Sequence, residues 1–277
     1  MKPKRKRIQP GFAFAASIAC VGLAHAEPLP LWELGAGAAG VSFPDYRGAD
    51  QQRNYLLPLP YVVYRGDVLQ VDREKVRGLL FKTDRVELDL SINGSVPVRS
   101  GNPARQGMPD LDPTLELGPS LNFLLAQDQQ HCKLTLKLPL RAVIASDFHH
   151  THDAGLLANP QLNLDLQMQQ DWKLGLVVGA LFGDRRYHDY FYSVAPQYAT
   201  GSRPAYTAPG GYSGAQFIAA ASKRFDKMWI GAFIKVDNIN HAAFNASPLV
   251  KQRSNVSAGF GISWIFAQSA QQAESSE

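Results

Sequence analysis

Residues 86–98 read Val86-Glu87-Leu88-Asp89-Leu90-Ser91-Ile92-Asn93-Gly94-Ser95-Val96-Pro97-Val98. Apolar side chains take the even positions, interrupted only by Gly94, and polar ones take the odd positions up to Ser95. A period of two places the two sets on opposite faces of a β-strand. The same alternation returns over 115–125, where Leu115, Leu117, Leu121 and Leu125 oppose Glu116, Ser120 and Asn122. It returns again over 133–144 and in Leu162, Leu164, Leu166 and Met168. Further strands are expected at 31–42, 54–64, 172–182, 212–224, 228–237 and 255–266. Most of these exceed the roughly 5–6 residues usual in soluble sheets and match the roughly 9–11 that cross a bilayer at a tilt.

Connections carry the same message. Outer-membrane barrels have short periplasmic turns and longer outer loops. Short links fall at 65–67, 82–85, 127–130, 170–171 and 225–226, and longer ones at 43–53, 99–110, 147–159, 183–211 and 238–253. For the two kinds to alternate, 67–72 and 77–82 must be short strands. The expectation is therefore an all-β, antiparallel up-and-down transmembrane barrel of about 12 strands, or 10 if those two fail to form. Trp32, Tyr61, Tyr64, Trp172, Trp229, Trp264 and Phe266 lie near strand ends, as an interfacial girdle requires. A soluble sandwich or lipocalin-like barrel is the competing fold. Pro58 and Pro60 both lack an N–H toward the same neighbour, so one ladder is interrupted beside the second strand, or the pair marks a bulge.

The chain has 277 residues and a formal charge of +4. Five of its basic residues, Lys2, Lys4, Arg5, Lys6 and Arg7, precede an apolar run from Phe12 to Leu23 and the small-x-small triplet Ala24-His25-Ala26. Residues 1–26 read as a secretory signal peptide. Its removal takes away five positives and no acids, which removes the support for a nucleic-acid partner. Cys20 lies within that segment and lacks the Leu three residues earlier that a lipoprotein signal wants, Ser17 standing there. Cys132 is then the single remaining cysteine, so no intramolecular disulfide staples the exported fold. No later stretch has 18 consecutive apolar residues, which excludes an apolar helical span. The expected organisation is 1–26 leader, 27–266 barrel and 267–277 polar periplasmic tail.

Several motifs give a resemblance. Pro44-Asp45-Tyr46-Arg47-Gly48-Ala49-Asp50, then Leu57-Pro58-Leu59-Pro60-Tyr61 with Tyr64-Arg65-Gly66-Asp67, and later Ser247-Pro248-Leu249-Val250, resemble the MltA-interacting protein/OmpV family of Gram-negative outer-membrane proteins. Tyr190-Phe191-Tyr192-Ser193-Val194 replaces a Tyr-Tyr-Gly-Val-like segment of that family. The polar tail follows the terminal aromatic strand, whereas most such barrels end on the aromatic. The resemblance implies outer-membrane location, no catalytic residues, no cofactor, and a scaffold between murein hydrolases and synthases or a surface binder.

Candidate chemistry is sparse. His149, His150 and His152 with Asp153 form a possible weak metal site in a long loop. No Ser stands in a motif with a His, and no Gly-x-Ser-x-Gly elbow occurs, which disfavours a surface hydrolase. Glu87, Asp89, Glu116, Lys133, Lys137, Arg141 and Asp165 fall on the inward face and either line a narrow aqueous lumen or pair across it. The aromatic 183–211 segment either presents a binding surface or packs into the mouth. The reading is a barrel set in outer-membrane lipid that acts by binding, either as a scaffold facing periplasmic murein hydrolases and synthases or through its surface loops, with a small-solute channel as the alternative. Charge reversal at Lys133, Lys137 or Arg141 is expected to change ion selectivity if the barrel conducts; unchanged currents would assign those charges to closed interior networks.

Overall fold

In hydrocarbon every backbone N–H and C=O must be satisfied within the protein, so a strand can span only as part of a closed ladder. The computed structural model meets this demand. It describes residues 30–65, 69–71, 76–95, 101–128, 131–147 and 149–272, with backbone alone for 69–71 and 76–80. The expected signal peptide and Gly66 lie outside the described residues.

The chain runs β1 (Trp32–Pro44), β2 (Gln52–Arg65), β3 (Leu69–Val71), β4 (Val76–Lys82), β5 (Val86–Gly94), β6 (Thr114–Asp128) and β7 (Cys132–Ser146). It continues through β8 (Thr151–Ala158), β9 (Gln161–Gln167), β10 (Trp172–Gly183), the helix α1 (Arg185–Tyr192), β11 (Gly211–Arg224), β12 (Met228–Asn238) and β13 (Ser254–Gln268). Neighbours pair antiparallel in chain order, and β13 returns to pair with β1 from Glu33↔Gln268 to Ser42↔Ala258. The ring is closed.

β8 and β9 are two halves of one stave. β7 pairs with β9 through residues 132–137 and with β8 through 140–146, and β10 contacts both in the same order. Thirteen strands thus make the twelve staves expected. The eighth begins earlier than the alternation suggests, so the long loop expected at 147–159 is replaced by a turn and β8. Gly155 explains the hidden strand: at φ +97 it breaks the phase, and the β7–β8 register shifts between Ala142 and Ile144 opposite it. A left-handed glycine at a bulge scrambles period two without ending the strand.

The faces follow the pattern. On β6, Leu115, Leu117 and Leu121 face the membrane while Thr114, Glu116, Ser120 and Asn122 are buried inside. Val256, Phe260, Ile262, Trp264 and Phe266 form the outer face of β13. Trp32, Tyr64, Trp172, Trp264 and Phe266 make an outward aromatic set toward the short-turn end, where Lys223 reaches over Trp172 at 5.8 Å. Tyr61 and Trp229 leave that girdle. Tyr61 is 2% exposed and packs inside with Val63, Ile265 and Trp229. In Leu56-Leu57-Pro58-Leu59-Pro60-Tyr61-Val62-Val63 both phases are apolar, so the sequence does not reveal which points in.

Beside this inner cluster lies Glu33, fully buried and held by Arg65 and Arg224, each at 2.8 Å, and by the Tyr61 hydroxyl at 3.0 Å. One carboxylate thereby ties β1 to β2 and, across the interior, to β11. The tail joins the same end. Ser269 donates its N–H to Trp32 O, and Leu31 donates to Gln271 O. β13 itself runs to Gln268, and the described tail residues after it lie beside the start of β1.

Removing one partner of a buried ion pair costs about 3–5 kcal/mol. Glu33→Ala should therefore lower the unfolding free energy of the barrel by that order, read as a lower urea midpoint followed by tryptophan fluorescence. A midpoint equal to wild type would show that this triad adds nothing to closure.

Candidate functional site

The apolar core of this protein sits in its mouth rather than in its wall. Four loops at the long-loop end, residues 45–51, 101–113, 184–210 and 239–253, fold inward over the lumen. Their side chains join Val143, Ala145, Leu157 and Leu181 of the wall in a single buried cluster.

α1 forms because Asp184 caps it, accepting the Tyr187 N–H at 2.8 Å, and because Tyr187, His188, Phe191 and Tyr192 lie on one helical face. That face is buried. The Tyr192 ring stacks on Phe244 at 3.5 Å and 6°, and His188 meets Phe244 edge-on at 4.8 Å. The 183–211 segment is thus a plug, and the reading of it as an exposed binding surface is corrected. Its aromatics bury area at low entropic cost, and the mouth offers the apolar partners.

The two sequence motifs outside the wall are halves of one construction. The Tyr46 hydroxyl donates to Leu249 O at 2.8 Å, Tyr192 donates to Arg47 O at 2.9 Å, and Ser247 donates to Tyr192 O at 2.6 Å. Gly48 N–H donates to Asn255 Oδ1 at 2.6 Å, while Gly48 O accepts from Lys251 and Gln252. Gly48 has φ +94, and a Cβ there would stand 2.8 Å from Ile239 Cδ1, so both backbone angle and space require glycine. Asp45 holds Arg53 at 2.6 Å and accepts from Asn102 at 2.8 Å, which fastens the loop after β5 to β2. Pro44 ends β1, and Pro248 and Val250 flank Leu249, whose side chain is fully buried. Burial pushes the Tyr46, Tyr187 and Tyr192 hydroxyls upward and that of Tyr190 to about 12. These phenols therefore remain neutral donors.

Arg47 fixes the plug to the wall. Its guanidinium binds Asp237 of β12 at 2.9 Å and donates to Ser213 O of β11 at 2.9 Å. Asp237 also accepts Lys235 at 3.1 Å. Nearby, His188 Nδ1 lies 2.6 Å from Pro209 O and Nε2 lies 2.6 Å from Ser213 Oγ. A carbonyl can only accept, so Nδ1 carries the proton and the Ser213 hydroxyl donates to Nε2. Sequence spacing gave no sign of this Ser–His pair. Both residues are fully buried, so the pair is closed to substrate and serves as a plug fastener. Arg105 and Arg203, also unforeseen, spend their donors on loop carbonyls such as Phe191 O and Ala104 O.

Beneath the plug is a cavity of about 800 Å³. Of the expected lumen charges, Asp89, Glu116, Lys137 and Arg141 line it. Arg141 pairs with Glu116 at 2.7 Å and donates to Ser91 Oγ at 3.0 Å. Glu87, Lys133 and Asp165 keep the same phase but lie outside this lining, with Lys133 opposite Asp165 in register. The three histidines do not assemble. His149 and His150 sit in a turn around Asp147, whereas His152 is on β8 with its ring 5.4 Å from Tyr190. Among the described residues no group of three or more His, Cys, Asp or Glu is placed to hold a metal.

A closed antiparallel barrel with an apolar outer belt, a polar interior and a folded plug defines an outer-membrane β-barrel of the Gram-negative envelope. The profile of the family described as MltA-interacting protein MipA matches residues 36–266. The chain belongs to that family. No curated protein matches it. Among solved structures, it is similar to an outer membrane channel from Pseudomonas putida F1, with 12% identity over 90% of this chain and 100% of that one at TM-score 0.42. It is also similar to the toluene transporters TodX of Pseudomonas putida and TbuX of Ralstonia pickettii. Each shows 10% identity over 87% of this chain, with TM-score 0.27, covering 68% and 71% of their own chains.

Burial lowers the His188 pKa, offset in part by its bond to Pro209 O. The unfolded histidine takes a proton near its ordinary value of about 6.5 while the folded one resists, so stability falls as pH drops through that range. The temperature at which folded gel mobility is lost should fall between pH 7.5 and 5.0, and His188→Gln should flatten this dependence. An unchanged pH slope in the variant would remove His188 as the cause.

Proposed function

We propose that this barrel acts by holding partners rather than by passing solutes, as a scaffold joining the outer membrane to murein hydrolases and synthases at its periplasmic rim. The observation that carries the reading is the plug. Residues from the loops 45–51, 101–113, 184–210 and 239–253 form a core of their own, and the Arg47–Asp237 pair locks that core to the wall. A barrel so closed is poorly suited to free diffusion. Its short-turn end, with the described tail residues 269–272 laid beside β1, is the free face toward the cell wall. The family description, MltA-interacting protein, supports a partner of the murein hydrolase class. No catalytic role is assigned, since the Ser–His pair is sealed and the charges beneath the plug are paired in part.

The channel reading retains one observation in its favour, the polar cavity of about 800 Å³ under the plug. Two measurements separate the readings. Folded barrel in a planar bilayer should be electrically silent, and Arg47→Ala, which leaves a buried carboxylate with one cation instead of two, should produce discrete conductance steps. In parallel, immobilised barrel should retain a purified lytic transglycosylase at micromolar concentration, and removal of residues 269–277 should weaken retention several-fold. Steady ion-selective steps from the wild type together with no retention would overturn the scaffold reading and install the channel.

A further inference from the structure

The excursion between β10 and β11 leaves the wall and rejoins it at one point, where Gly183 pairs with Gly211. Between these two feet run residues 184–210, with α1 at their start. Gly211 has φ +135, a backbone state that glycine adopts without strain. The segment is a flap on a narrow base, and one side chain closes that base. His188 Nδ1 donates to Pro209 O and Nε2 accepts from Ser213 Oγ, each at 2.6 Å. Ser213 Oγ also accepts the Gly183 N–H at 2.9 Å, and Arg47 donates to Ser213 O at 2.9 Å. A Cβ on Gly183 would stand 2.8 Å from His188 Nε2, so the edge of the ring lies on the departing foot. A single imidazole therefore ties α1 to both feet of the flap and to β11.

The other anchors of the flap keep their charge between pH 5 and 8. Tyr192 donates to Arg47 O, Ser247 to Tyr192 O and Tyr190 to Asp112 O. Arg105 donates to Phe191 O, Arg203 to Ala104 O, and Arg186 pairs with Asp153. Of the side chains that hold or touch the flap, the histidines are the ones that titrate in that range. His152 of β8 meets Tyr190 at 5.4 Å but stands in solvent. His188 is fully buried.

This arrangement fits the neutral ring. A second proton turns Nε2 from acceptor into donor. Ser213 Oγ must then take that hydrogen as well as the Gly183 N–H, and its own proton must turn to Gly211 O at 3.4 Å, beyond the roughly 2.5–3.0 Å of an O–H···O bond. The added charge also meets committed partners. On α1, Asp184 caps the helix at the Tyr187 N–H, while Asp189 accepts from Ser193 Oγ and faces Arg185 at 3.7 Å. From 45–51 comes a like charge, Arg47, paired with Asp237 of β12, which Lys235 shares. From 239–253 the contact is the Phe244 ring, and on α1 it is the neutral phenols Tyr187 and Tyr192. Gly183, Pro209 and Ser213 bring no charge. Burial accordingly holds the imidazole below its ordinary range, the bond to Pro209 O offsetting this in part.

We propose that residues 184–210 form an acid-released flap over the lumen, with His188 as its sensor. In the lifted flap the ring is in water and takes a proton near its ordinary value of about 6.5, while the closed form resists it. The lifted population then grows by up to about tenfold per pH unit below that value, until the buried ring protonates as well. The wall, closed by β13 on β1, stays folded. Lifting takes Tyr187, Phe191 and Tyr192 out of the lining of the cavity of about 800 Å³, which opens it toward the outer face, the side that meets external pH. This goes beyond the scaffold reading and is independent of it.

The test is hydrogen exchange of the folded full barrel in lipid nanodiscs, corrected at each pH for the intrinsic chemical rate. From pH 7.5 to 5.0 the opening constant of the α1 amides His188–Ser193 should rise at least about fivefold, while that of the β6 amides changes less than about twofold. His188→Gln, which keeps a donor for Pro209 O and an acceptor for Ser213 without a titrating group, should abolish the rise, and His152→Gln should retain it. No rise in the wild type, a rise shared equally by β6, or a rise that persists in His188→Gln would overturn the proposal. A second readout needs no change at His188. On a Cys132→Ser background, Ala208→Cys, buried in the plug, and exposed Ser202→Cys are each labelled with a methanethiosulfonate, and the ratio of their rates cancels the ionisation of the thiol. That ratio should rise at least about fivefold over the same pH range; a constant ratio would overturn the flap.

Discussion

Backbone satisfaction in a solvent without water governs this molecule. Because hydrocarbon accepts no unpaired N–H or C=O, the chain must close its ladder, and β13 returning to β1 does so. Closure sets the rest of the wall: long strands, tight turns at one end, apolar side chains outward and small or polar ones inward. The interior is then too polar to supply an apolar core. The chain builds one where water already ends, in the mouth, from loops that the wall holds within reach of one another.

The plug and the wall divide the work of stability. Glu33, two arginines and Tyr61 fasten the short-turn end, while Arg47, Asp237 and the stacked Tyr192 and Phe244 fasten the other. In both places a charged group is buried only with its partners already positioned, which is the condition under which buried charge avoids a large penalty. The lumen between them keeps part of its polar groups paired, as Arg141 with Glu116.

The strand alternation was legible because a period of two survives in β5, β6, β7 and β13, where one face meets lipid. It failed where geometry intervened. Gly155 hid β8 by inserting a left-handed residue, and the doubly apolar stretch around Tyr61 left its phase undecided, which misplaced Tyr61 and Trp229 in the outer girdle. The Pro58–Pro60 pair was expected to interrupt a ladder or mark a bulge, and the ladder from β2 to β1 runs past both prolines without a register shift. The plug was legible only as two motifs without a shared purpose. Tyr46 and Leu249 stand 203 residues apart, and no local pattern announces that a carbonyl on one will receive the hydroxyl of the other. His188 and Ser213 were invisible for the same reason.

The account stands on the plug being a folded core rather than a set of solvated loops. Hydrogen exchange of the barrel in nanodiscs reads this directly at the amides of α1 that lie within the helix ladder, from His188 to Ser193. The account predicts protection within tenfold of the amides of β6, since the aromatic face of α1 is buried against Phe244 and Tyr46. Exchange at the rate of an unstructured peptide would contradict it, and with it the closed mouth on which the functional reading rests.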